Sequence, residues 1–107
     1  MNPNIKKLNT NYIFTFCDGT TAKLTLTFYA LYQLREKNRS LYERYNKIIA
    51  KSTSDILEMI TILYTAYVCA NLDEENILNE MDFMMLCGHD MRAVGDAVKA
   101  LTTAKKN

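Results

Sequence analysis

From Tyr12 to Cys17, and again from Ala22 to Phe28, apolar and polar residues alternate with period two, and aromatic and β-branched side chains dominate. That is the pattern of two half-buried strands. Asp18-Gly19 lies between them, which predicts a β-hairpin. A two-residue turn would set Phe14 across from Lys23. A three-residue loop, Cys17-Asp18-Gly19 with Gly19 left-handed, pairs Phe16 with Thr20, Phe14 with Ala22 and Tyr12 with Leu24. The second register gathers Tyr12, Phe14, Ala22, Leu24 and Leu26 on one face, so it is preferred. Two strands alone are marginal in water, so helices of this chain or strands of another copy must cover that face.

Beyond Phe28 the spacing of apolar residues lengthens to that of helices. Phe28 to Lys37 reads as a short helix with Phe28, Leu31, Tyr32 and Leu34 on its apolar side, broken at Asn38. Ser40-x-x-Glu43 is a capping box for a second helix to Lys51, with Leu41, Tyr45, Ile48 and Ile49 inward. The tract Ser52–Asp55 caps a third helix reaching about Asn71, whose Ile56, Met59, Ile60, Leu63, Tyr64, Tyr67 and Val68 recur at i, i+3, i+4. An acidic connection, Leu72–Asn76, leads to a fourth helix from Ile77 or Asn79 to Cys87, with Gly88 just past its end. Asp90 caps a last helix with Met91, Val94, Val98 and Leu101 as its stripe. Gly95 inside that helix is explained by a close approach of a neighbouring helix. The expected fold is α+β and mostly helical: a hairpin over about 11–28, then four to five helices over about 28–104. At 107 residues, 1–107 is expected to be a single domain, with disorder at Met1–Lys7 and Thr102–Asn107.

The longest apolar run, Met59 to Ala70, is 12 residues. A bilayer needs about 20, so it reads as a buried central helix. Net charge is +1 but polarised. Arg35, Lys37, Arg39, Arg44, Lys47 and Lys51 outweigh Glu36 and Glu43 by +4, whereas Ser52–Asp90 holds eight carboxylates and no Lys or Arg. The two halves either neutralise each other, within the fold or between copies, or the basic segment 35–51 binds nucleic acid. A polyanion would be repelled by the acidic half, which favours neutralisation.

Chemistry is sparse. Cys17, Cys69 and Cys87 form no C-x-x-C pair and cannot all pair within one chain. With no secretory leader in view, a reducing cytoplasm is the expected setting. The single histidine allows one triad-like set, Cys87, His89 and Asp90, too close in sequence to converge readily on a substrate. Asp73, Glu74 and Glu75 lack the alternation of a calcium loop, and the three glycines are isolated, so no phosphate loop is present. The expectation is no enzyme, no catalytic residue, no cofactor, no metal and no small-molecule substrate. Most of the seven tyrosines fall on helices and suit packing or an interface. Four of the six methionines lie within the thirteen residues Asn79–Met91. Met81, Met84 and Met85 are expected on one side of their helix with Cys87 nearby, where they either fill the core or form a tolerant apolar binding surface.

The segment from Ser54 carries a resemblance. A long apolar helix with Ile62-Leu-Tyr64-Thr-Ala-Tyr67 is followed by an acidic connection, then the short helix around Glu80-Met-Asp-Phe-Met-Met-Leu86. A Gly88-His-Asp90 turn leads to the final helix Met91–Leu101. This resembles the tail assembly chaperones of long-tailed bacteriophages and prophages of Gram-positive hosts, over roughly Thr10 to Leu101. The resemblance implies a non-enzymatic protein that binds the helical, aggregation-prone tape measure protein, recruits tail tube subunits, self-associates and is absent from the virion. A frameshifted longer form is common in that family. It implies a client-binding or self-association surface at Met81, Met84, Met85 and Met91, with Phe83 nearby. Two other readings are a small prophage-encoded regulator binding nucleic acid through 35–51, and a structural tail or head-completion protein.

Overall fold

The computed structural model describes residues 11–52 and 55–103. The hairpin is β1 (Tyr12–Thr15) with β2 (Thr21–Leu24), antiparallel. Five helices follow: α1 (Phe28–Lys37), α2 (Arg39–Lys51), α3 (Ile56–Ala70), α4 (Glu80–Cys87) and α5 (Met91–Thr102). The α+β, mostly helical fold read from the sequence is therefore the one observed.

The hairpin adopts the three-residue register. Tyr12 pairs with Leu24, Phe14 with Ala22 and Thr15 with Thr21. The Phe16 N–H donates to the Thr20 carbonyl at 2.8 Å, and Gly19, at φ +88°, closes the loop onto the Phe16 carbonyl. Asp18 Oδ1 accepts from the Thr20 backbone and hydroxyl at 3.0 and 2.6 Å, which holds the Asp18 carboxyl below its ordinary pKa. The strands are shorter than the alternating runs that announce them.

α3 is the axis of the molecule and packs against β2, α1, α2, α4 and α5. It is buried almost all round, Thr61, Ile62, Thr65, Ala66 and Cys69 included, which explains why its apolar run exceeds a simple stripe. Thr65 is tolerated at zero exposure because its hydroxyl donates to the Thr61 carbonyl at 2.8 Å. Among the described residues, no helix is long and apolar enough to cross a membrane.

Caps set the boundaries. Asn38 ends α1 and also opens α2, its side chain accepting from the Leu41 N–H. Ser40 thus lies inside the first turn, and the Ser40-x-x-Glu43 capping box is not used. Asp55 caps α3, Asn79 caps α4 and Asp90 caps α5. Gly88 ends α4 at φ +66°, where a β-carbon would also stand 3.2 Å from Cys17 Cβ.

Several inward assignments are corrected. On α1 the buried residues are Ala30 and Leu34, while Phe28 is 90% exposed and Tyr32 points largely to solvent. Ile49 is likewise exposed on α2. On α5, Val94 and Ala97 form the buried line and Met91 lies outside it. Among the described residues, no atom outside its own stretch of helix lies within 4 Å of a β-carbon built on Gly95, so no close approach of another described helix requires that glycine. Most of the expected terminal disorder, and Thr53 and Ser54 of the third helix's capping tract, fall outside the described residues.

Candidate functional site

α4 is only eight residues long, yet it is held from several directions. Phe83, with no exposure, is the hub. Its ring centroid lies 5.4 Å from Phe16 of the hairpin arm, and 5.5 and 5.2 Å from Tyr64 and Tyr67 of α3. The Tyr64 hydroxyl donates to the Leu78 carbonyl at 3.0 Å, and Tyr67 Oη accepts from the Leu78 N–H at 2.9 Å, which fixes the chain entering the helix. At the other end, the Cys17 N–H donates to the Leu86 carbonyl at 2.8 Å.

The first turn of α4 is tied to α2. Arg44 Nη1 and Nη2 each donate at 2.8 Å to the two carboxylate oxygens of Glu80. The Thr61 hydroxyl reaches Glu80 Oε2 at 3.3 Å. These contacts, the Arg44 hydrogen bonds foremost, hold the Glu80 carboxyl below its ordinary pKa. Lys51 meets Glu58 at 2.6 Å, and Lys37 meets Asp73 at 3.6 Å. Three cations of the basic segment thus pair with carboxylates of the acidic one inside a single chain, as one of the two charge readings expects.

The methionines do not share one face. Met81 and Met85, one turn apart, are 68% and 70% exposed beside Asp82. Met84 is half-buried and packs against the core. Cys87 faces inward with Phe83, not outward with the methionines. Phe83, expected near the surface, is a core residue, because the i, i+4 pair Phe83 and Cys87 sets the buried line of α4. Met91 is 64% exposed but lies beyond the Gly88-His89-Asp90 turn, along a cleft beside β1. The candidate surface therefore contracts to Met81 and Met85, with Met91 at a separate position.

The sequence reading missed a second apolar surface. Phe28, Tyr29 and Tyr32 are exposed on α1, and a groove of about 350 Å³ separates Phe28 and Tyr32 from Tyr42, Tyr45 and Ile49 of α2. Arg35 stands over the rings of Tyr32 and Tyr42, at 5.5 and 6.0 Å from their centroids. The signal was present in the Ala30–Leu34 pair, whose i, i+4 spacing inward turns the aromatics outward.

The chemistry of the thiols is that of packed residues. Burial pushes the Cys69 thiol up to about 12 and the Cys87 thiol up to about 11, so neither is a thiolate near neutrality. Cys87, His89 and Asp90 do border the same cleft, but Asp90 spends Oδ1 on the Ala93 N–H at 3.0 Å. Among the described residues, no group of His, Cys, Asp and Glu is placed to hold a metal ion. In comparisons with known proteins, the chain matches no family model, no curated protein and no solved structure.

Proposed function

We propose that this protein is a non-catalytic client binder, and that it acts as a tail assembly chaperone on the tape measure protein of a phage tail. The observation that carries the reading is the exposed Met81–Met85 pair on a helix pinned at both ends. Unbranched, polarisable side chains on a rigid base suit a client that presents many similar apolar helix faces. Many copies along one client would gain avidity without tight individual contacts. The raised Cys87 pKa supports a role without nucleophilic catalysis.

On this reading the protein works in the bacterial cytoplasm, recruits tail tube subunits and leaves before the virion is complete. The nucleic-acid reading is weakened because Lys37, Arg44 and Lys51 of segment 35–51 are already engaged by carboxylates. Coexpression with a fragment of the tape measure protein tests the proposal. A soluble, co-purifying complex is expected. A fragment that stays insoluble beside folded chaperone would refute it.

A further inference from the structure

Among the described residues, the outer edge of β1 carries backbone groups without a partner. In an antiparallel ladder, every second residue turns its N–H and C=O away from the partner strand. The Phe16–Thr20 bond fixes the phase: Phe16, Phe14 and Tyr12 face β2, whereas Cys17, Thr15 and Ile13 present their backbone groups outward. At Cys17 the fold supplies a partner, the Leu86 carbonyl. At Thr15 and Ile13, no partner stands among the described residues. Leu86 thus starts a ladder that the other described residues do not continue.

A cleft of about 870 Å³ runs beside this edge. Its far wall is the turn from α4 to α5 with the start of α5, including Gly88, His89, Met91 and Asp96. Ile13 is 54% and Met91 64% exposed there, offering apolar contact. Asp96 and Asp90 make the wall acidic, and Asp96 has no ion-pair partner among the described residues.

We infer that the free edge of β1 docks a single extended segment of a partner protein, added to the hairpin as a third strand, with apolar side chains and a lysine or arginine that meets Asp96. A helix does not fit this description, because its backbone groups are already bonded within itself. A second copy fits poorly. Its β1 would arrive with β2 and five helices attached, against a wall that already closes on Cys17. Edge strands are ready templates for such pairing. The site is distinct from Met81 and Met85, so its failure would leave the proposed function standing, and the converse also holds.

The probe is an acetylated, amidated heptapeptide, Lys-Val-Thr-Val-Thr-Val-Lys, used with a twin N-methylated at alternate residues so that one backbone edge cannot donate. Amide exchange is read on the full chain by NMR. The plain peptide is expected to slow exchange at Ile13 and Thr15 by about tenfold or more at saturation, and the twin to bind at least about tenfold more weakly. Asp96→Asn is expected to weaken the plain peptide by about threefold at low salt and less at high salt. Thr15→Pro is expected to abolish binding while keeping the hairpin, because the N–H it removes is not in the β1–β2 ladder. If Thr15→Pro unfolds the protein, the N-methylated twin still decides. The proposal is overturned if the plain peptide does not bind, if both peptides bind equally, or if protection appears elsewhere. Concentration-dependent protection of Ile13 and Thr15 without peptide would assign the edge to a second copy and overturn it too.

Discussion

Arg44 grips Glu80 through both terminal nitrogens, 2.8 Å to each carboxylate oxygen, and so binds the basic α2 to the first turn of the acidic α4. The pair is bidentate and half-exposed on the arginine side. Such geometry is more favourable than a lone surface contact. It also places a carboxylate near the N-terminus of α4, where the helix dipole favours it.

Glu80→Gln is expected to lower stability by about 1 kcal/mol at neutral pH. Because the folded-state pKa of Glu80 is depressed, its contribution is present above the unfolded value and lost as pH falls through the folded one. The wild-type advantage over Glu80→Gln should therefore shrink as pH drops below about 4.5. Urea melts of both proteins across that range check it.

Phe83→Ala should be among the most damaging single changes, at about 3–5 kcal/mol, since it empties the junction of Phe16, Tyr64 and Tyr67. Met81→Ala, on the solvent side of the same helix, should stay within about 0.5 kcal/mol. Thermal or chemical denaturation distinguishes the two.

The two helix-associated glycines should respond oppositely. Gly95→Ala has room for its methyl group and should stabilise α5 by up to about 1 kcal/mol. Gly88→Ala forces a side chain into a left-handed position and against Cys17 Cβ, and should cost roughly 1–3 kcal/mol. Denaturant midpoints of the two variants give the signs directly.

Native alkylation should modify Cys17 alone. Cys69 and Cys87 are buried with raised pKa values, whereas Cys17 is exposed. Mass spectrometry after iodoacetamide treatment at about pH 8 should show one adduct on the folded chain and three in denaturant. Rapid modification of Cys87 in the folded state would contradict its packing.

The hairpin and its register were legible because Asp18-Gly19 and the alternation around it act on the same few residues. The caps at Asp55 and Asp90 were legible for a similar reason, since each is a local choice. The face of α1 was not. Ten residues with aromatics at 28, 29 and 32 and leucines at 31 and 34 admit two stripes, and only packing against the rest of the core selects Ala30 and Leu34. The methionine face was legible only in part. Met81, Met84 and Met85 straddle the boundary of α4, and its rotation is set by Phe83 meeting Phe16, a residue 67 positions away in sequence. The outer edge of β1 was not legible because it depends on which of the described residues do not pair with it.

The central claim is that Met81 and Met85 form the client-binding surface, and one double variant tests it most directly. Met81→Asp with Met85→Asp should keep the circular dichroism spectrum and melt within a few degrees of the parent, about what exposed substitutions allow. Coexpressed with a tape measure fragment that the parent keeps soluble, the variant should leave that fragment in the pellet. A folded double variant that solubilises the fragment as well as the parent would contradict the account.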